Sequence, residues 1–352
     1  MEVSLAYGGW TVEKGFSYSS PMSFWSTLPP AFRVLAPMED VTDKVFRRLV
    51  ADHGEPEVLF TEFTSAEYLC SPKPEKALVR LETYEGEFLR RPLVAQIWGG
   101  NPEQMYKAAR LTAELGFAGV DINMGCPVKK ISRKGACSAL IRMPAVALEL
   151  IQAVKEGARS VAPQMGISVK TRLGWNKVET QEWCGFLLEQ DLDALTVHGR
   201  IAKQMSEGWA DWNEIAKVVQ LRNAGGWKTK ILGNGDLTRV QFEERLQQTG
   251  VDGLMIGRGV FSDIGIFRRE GYRPYESWTR DEKLDLLERH IHDHFEAWGR
   301  SKDYEKLKKF FKVYTVGWET ALELRAQLMA THRHEESLAV LAAYRKRLMV
   351  SP

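Results

Sequence analysis

A (β/α)8 TIM barrel followed by a small all-helical C-terminal domain is the fold that this 352-residue sequence predicts. Three observations predict it. From residue 31 onward, short apolar runs of strand length alternate with longer stretches of helical periodicity, the pattern of parallel strands joined by helical crossovers. Eight such pairs occupy about 240 residues, the number and size of one closed barrel. Polar residues then recur at the C-terminal ends of several strands, where barrel active sites gather; a doubly wound open sheet would concentrate them near one switch point.

Residues 1–30, with their Ser, Gly and aromatic side chains, read as an N-terminal extension without an assigned role. The barrel then runs over 31–274. Its expected strands are Val34–Ala36, Val58–Phe63, Leu93–Trp98, Gly119–Asn123, Ile167–Thr171, Ala194–His198, Lys230–Asn234 and Gly253–Ile256. Helical stretches between them include Glu103–Leu115, Pro144–Arg159, Trp212–Leu221 and Arg239–Gln248. Strand signals stop after Pro274, and 275–352 reads as several helices, a second domain without Pro until Pro352.

Forty-eight Lys and Arg stand against 46 Asp and Glu, so the net charge is only +2 and bulk charge cannot hold nucleic acid or membrane. An anionic partner must meet a local patch. Cys70, Cys126, Cys137 and Cys184 form no CxxC pair, which signals neither a disulfide framework nor a zinc site and suits a reduced, cytoplasmic setting. No stretch approaches 18 apolar residues, and the N-terminus lacks a secretory pattern, so neither a membrane span nor a signal peptide is expected.

The candidate chemistry lies at the strand ends. Gly119-Val-Asp-Ile-Asn-Met-Gly-Cys-Pro127 closes a strand and releases Asn123 and Cys126 into a rim loop, where a thiol can donate or accept a proton, or attack. The alternative is a buried, inert cysteine. Lys170 and Arg172 sit two residues apart on one face of their strand, suited to an electron-rich ring, a phosphate or plain solvent. His198 ends the next strand. Gly233-Asn-Gly-Asp236 and Ile256-Gly-Arg-Gly259 follow strands seven and eight, where barrels often bind phosphate on glycine amides. The segment Arg300–Lys312 carries six cations and two acids interleaved with Tyr304, Phe310 and Phe311, either an RNA-facing patch or a solvated amphipathic helix. His290 and His294 share a helix face, but without acidic or cysteine partners they read as exposed surface and no metal is expected.

Ala36-Pro-Met-Glu-Asp-Val-Thr-Asp43 with Phe46-Arg47, Thr61-Glu62, Gln96, Asn123-Met-Gly-Cys-Pro127, Lys170-Thr-Arg172, His198-Gly-Arg200, Asn234-Gly-Asp236 and Gly257-Arg258 resemble, in order and spacing, the bacterial tRNA-dihydrouridine synthase family. The resemblance implies an FMN-containing barrel with a helical tRNA-binding domain, NADPH as electron donor and tRNA as substrate. It implies that Pro37, Met38, Glu39, Gln96, Lys170 and His198 lie against the flavin, that Asn234, Gly235, Asp236, Gly257 and Arg258 hold its phosphate, and that Asn123, Arg172 and Arg200 meet the uridine. Cys126 would protonate C5 of the uracil. Lys302, Lys306, Lys308, Lys309 and Lys312 would contact RNA.

The sequence departs from the family at Ile201, where Thr is usual, and at Gly135-Ala-Cys137, which makes Cys137 a competing thiol. Two other functions remain open on the residues: a flavin barrel acting on a free pyrimidine acid, of the dihydroorotate dehydrogenase kind, and a non-catalytic RNA-binding module.

Overall fold

The computed structural model describes residues 23–350. They form two compact units: the residues before Asp40 with Glu57–Gly257, and Asp40–Pro56 with Arg258 onward. The boundary read at 274 therefore differs from the one observed, and residues 40–56, read as barrel, pack with the helices instead. Residues 1–22 of the expected extension lie outside the described residues.

The first unit is built on parallel strands β1 (Phe32–Leu35), β2 (Leu59–Phe60), β3 (Thr64–Ser65), β4 (Leu93–Trp98), β5 (Gly119–Met124), β6 (Gly166–Arg172), β7 (Ala194–His198), β8 (Lys230–Asn234) and β9 (Gly253–Ile256). They pair in the order β1-β9-β8-β7-β6-β5-β4-β2, with β3 also on β4. β2 and β3 are two halves of one interrupted position, Leu59 opposite Leu93 and Thr64 opposite Ile97. The sequence expected one run over Val58–Phe63. It breaks because the Thr61 hydroxyl takes the Gln96 N–H, at 3.2 Å, that a continuing ladder would have bonded. A bridge between Val34 and Val58, with Leu35 N–H donating to the Val58 carbonyl at 3.1 Å, joins β1 to the chain entering β2 and closes the barrel.

Side chains from most of these strands fill the interior: Phe32, Val34, Phe60, Val94, Ala194, Leu232 and Met255 pack as one cluster. Phe24 and Trp25 belong to it. They precede β1 and seal the N-terminal end of the barrel, where Gly166 has no side chain because a Cβ would stand 2.8 Å from the Trp25 ring. Around the sheet, the Pro102–Glu114 helix starts on the Asn101 side chain, which accepts from Gln104 N–H, and the Trp212–Gly225 helix starts on Asp211. Each of these helices follows the C-terminal end of a strand, β4 or β7, on the loop-bearing rim.

The second unit contains helices Lys44–His53, Arg280–Trp298, Lys308–Tyr314, Ala321–Met329 and His334–Val350. Its aromatic centre stacks Phe46 on Phe310 and His290, with ring centroids 4.9 and 6.0 Å apart. The Arg280–Trp298 helix opens on a reciprocal cap between Thr279 and Glu282. His290 and His294 are buried, contrary to the exposed face expected of them. His290 Nδ1 bonds the Tyr314 hydroxyl at 2.7 Å, and His294 Nδ1 bonds His334 Nε2 at 2.8 Å. Burial pushes both below the ordinary imidazole value, to about 3 and about 4, so they are neutral core residues.

Candidate active site at the barrel rim

Side chains alternate along a strand, so Asp121 and Asn123 of β5 share the inward face with Gln96 of β4 and Ser168 of β6. A relay of hydrogen bonds connects them. Ser168 Oγ and Gln96 Nε2 donate to the two Asp121 oxygens at 2.6 and 2.7 Å. With its amine end committed to Asp121, Gln96 presents Oε1 to Asn123 Nδ2 at 2.9 Å. Asn123 in turn presents Oδ1 to the backbone N–H groups of Gly125 and Cys126, at 3.0 and 2.9 Å. A buried carboxylate thus fixes the orientation of both carboxamides and, through them, the loop that carries the thiol. Burial lifts the Asp121 carboxyl to about 6, with the two hydrogen bonds opposing. Asp121 went unremarked in the sequence, although its place two residues before Asn123 marks the same face.

Cys126 is half-buried and Cys137 fully buried. Ser138 N–H donates to the Cys126 carbonyl at 3.3 Å, holding the two segments together, and the thiols are hydrogen-bonded. The Cys137 S–H donates to the Cys126 sulfur and holds the Cys126 thiol down at about 7, against the opposing effect of burial. Burial and the neighbouring sulfur push Cys137 well up. Of the two competing thiols, then, Cys126 is the accessible one and Cys137 is its partner.

Lys170 donates to Asn234 Oδ1 at 3.0 Å, and Asn234 Nδ2 donates to the Met255 carbonyl at 2.7 Å, tying β6 to β8 and β9. Burial, then the Arg172 charge, pull the Lys170 ammonium down to about 8. His198 lies against Gly235, whose φ of 125° and missing side chain leave room for the ring: a Cβ there would stand 3.0 Å from His198 Cδ2 and 2.6 Å from Ala210 Cβ. A Cβ on Gly257 would meet only Ala36 Cβ and Met38 Sδ, both at 3.7 Å, so this strand end is open ground. Pro37 is half-buried between these two residues. Glu39 pairs with Arg80 at 3.3 Å. Arg258, next in the chain, starts the short turn Arg258–Phe261 of the helical unit.

Arg172 and Arg200 hold loops. Arg172 Nε donates to the Gly125 carbonyl at 2.7 Å and Nη1 to the Ile201 and Met205 carbonyls at 3.2 and 2.8 Å, while Nη2 makes no hydrogen bond among the described residues. Arg200 is buried, pairs with Asp236 at 2.6 Å, meets His198 Nε2 at 3.1 Å and donates to the Glu207 and Gly208 carbonyls. Arg200 and Asp236, expected at uridine and phosphate, are thus committed to each other and to the loop after β7. The lysines expected at RNA are mostly committed too. Lys302 bonds Asp43 and Lys306 bonds Asp40, each at 2.6 Å, and Lys309 donates to the Asp40 carbonyl at 2.9 Å. Lys308 is buried and donates to the Met329 carbonyl at 3.1 Å. Lys312 alone of the five is exposed with no ion pair among the described residues.

A half-buried thiol poised near neutrality, a lowered lysine and open ground at the end of β9 suit a proton donor beside a flat, electron-rich ligand. The sequence model of the family Dihydrouridine synthase (Dus) matches residues 34–349. The chain belongs to the dihydrouridine synthase family. Among the relatives, the probable tRNA-dihydrouridine synthase 2 of Bacillus subtilis (strain 168) is 43% identical over 332 residues, 93% of this chain and 98% of that protein. The probable tRNA-dihydrouridine synthase of Staphylococcus aureus (strain COL) is 41% identical over 323 residues, 91% and 94%. Among solved structures, morphinone reductase superposes at 12% identity and a TM-score of 0.49, over 71% of this chain and 89% of that one. At that distance it adds nothing to the strand order, which establishes the barrel by itself. Family membership makes the protein an enzyme of the oxidoreductase class, and among the described residues no helix is long and apolar enough to cross a membrane.

Proposed function

We propose that the protein reduces the 5,6 double bond of uridines in tRNA, with FMN as its flavin, NADPH as electron donor and Cys126 as the proton donor to C5. The observation that carries this reading is the Cys126 thiol, half-exposed at the β5 rim, titrating at about 7 and fixed in place by the Asp121–Gln96–Asn123 relay. An acid does most when its pKa lies near the working pH, because it is then both protonated and strong.

FMN fits the residues present. Gly235 lets His198 pack close beside it, and the strand end at Gly257 leaves its backbone clear for a phosphate. Asn234, held by Lys170 and Met255, points no hydrophobic group at it. Pro37 and Met38 line the first strand loop, and Gln96 and Asn123 each keep a second amide hydrogen for a ring oxygen. Reduced FMN bound there would supply a hydride to C6 of the uracil. Lys170, near its midpoint at about 8, offers a positive donor where negative charge gathers on that ring or on the C4 oxygen. Arg172 Nη2 is available to the base, and its other donors keep the thiol loop beside the loop after β7. The target base is stacked in folded tRNA and must be drawn out to reach Cys126.

The experiment is to purify the protein, record its flavin absorption, and incubate it with NADPH and an unmodified tRNA transcript, with free uridine and a free pyrimidine acid as controls. Dihydrouridine in the tRNA alone is the expected product, read by mass spectrometry of the digest. A protein that takes up no flavin, or reduces the free pyrimidine acid instead, overturns the reading.

A further inference from the structure

The loop after β7 carries Trp209, 83% exposed, and its indole makes no ring contact or hydrogen bond among the described residues. Its backbone, by contrast, is fixed on both sides. Arg200 donates to the Glu207 and Gly208 carbonyls just before it, and Ala210 N–H, just after it, donates to Asp236 at 2.8 Å. Asp211 N–H returns the chain to the Gly199 carbonyl at 2.6 Å. The buried Arg200–Asp236 pair therefore holds a large aromatic ring out at the catalytic rim on a rigid base. Arg172 ties this loop to the thiol: one guanidinium takes the carbonyls of Gly125 and of Met205. Trp209 is four residues beyond Met205, at most about 14 Å of extended chain. Exposed Lys203 and Met205 share the loop.

We propose that Trp209 is a stacking platform for a base of the RNA substrate next to the uridine held at Cys126. This rests on the function proposed above and assigns a residue that orients the polynucleotide. An aromatic ring stacks on any base without reading its edge, and a ring whose backbone is already fixed loses little freedom on binding. The platform suits a single-stranded, unstacked nucleotide, the state that the neighbours of an extruded base approach.

The test measures binding of an unmodified tRNA transcript to the FMN-loaded protein by filter retention at several salt concentrations. Trp209→Ala should weaken binding by about 5- to 150-fold, the range that alanine substitution of a stacking aromatic gives. Trp209→Phe should keep most of the affinity. The slope of log affinity against log salt should stay the same in both, since that slope counts neutralised phosphates. Melting temperature should not move, because the ring is exposed. Unchanged affinity in Trp209→Ala, or a flattened salt slope, overturns the proposal. So does sedimentation showing that the parent chain self-associates and that Trp209→Ala abolishes it, which would give the ring to a second copy of the chain. A parent that binds no tRNA instead refutes the function proposed above, so the two failures are separate.

Discussion

Replacing Cys137 by Ala tests the chemistry of Cys126 without touching its sulfur. The Cys126 thiol stands at about 7 against an ordinary 9.0 because the Cys137 S–H bonds to it, and burial works the other way. Without that donor the Val128 backbone and Arg172 still favour the thiolate, but burial and Glu39 oppose them, so the midpoint should climb toward the ordinary 9.0. The readout is the rate at which iodoacetamide alkylates Cys126, followed by mass spectrometry from pH 6 to 10, because only the thiolate reacts. The measurement needs neither flavin nor RNA. Dihydrouridine formation should then follow with the opposite sign. The protonated thiol is the active form, so the rate falls as pH rises through the midpoint, near 7 in the parent and at a higher pH in Cys137→Ala. The variant's plateau should be lower, since a weaker acid transfers its proton more slowly. Cys137→Ser retains a donor and should keep a midpoint close to the parent's. A midpoint that stays near 7 in Cys137→Ala would refute the argument that the second thiol sets the first.

Asp121→Ala should disturb the rim. It removes the acceptor that Ser168 Oγ and Gln96 Nε2 share, leaving two buried donors unpaired and Gln96 free to turn away from Asn123; calorimetry should show a loss of about 1–3 kcal/mol and the Cys126 alkylation rate should change. Lys302→Met should cost about 3–5 kcal/mol, because Asp43, 4% exposed, is left buried without its cation. Burial raises the Asp43 carboxyl, and Lys302 outweighs it to hold the group below 3.8, so the parent's pair stabilises above about pH 4 and fades as pH falls. The deficit in denaturant melts should accordingly be largest at neutral pH and shrink toward pH 4, while Lys312→Gln should be silent in the same melts. Gly235→Ala puts a side chain 2.6 Å from Ala210 Cβ at a φ of 125°, so it should lower flavin content per protein, with excess FMN partly restoring the melting temperature.

The barrel was legible because its signal is local. All eight expected strand positions recur within two residues, since a buried parallel strand is a short apolar run bounded by turns, and nothing distant is needed to see it. Polar residues at strand ends were legible for the same reason. What a charged side chain does there was not. Lys302 and Lys306 looked like a free basic patch, yet their partners Asp43 and Asp40 lie 259 and 266 positions away in the sequence. Arg200, expected at the uridine, has a partner that local reading does not reveal, Asp236, 36 positions on. The histidines failed differently: His290 and His294 on one helix face are compatible with water or with a core, and only the aromatic rings of Phe46, Phe310 and Trp298 decide. Asp121 and Trp209 were missed because one hides inside an apolar run and the other in a polar loop.

Phe24 and Trp25 seal the barrel's floor, and the order of synthesis gives that seal an unusual schedule. They leave the ribosome before any strand does, but their seat is made from Gly119 and Gly166, and the Ser23 hydroxyl just before them bonds Asp193. Two large aromatics must therefore wait, unburied, while about half the chain is made, and a nascent barrel arrested before β6 has a hydrophobic hook with nowhere to lodge. The first residues of the described chain to be translated find their place only once β5 and β6 exist, so a deletion up to residue 30 would leave every strand in place and still open the barrel's floor.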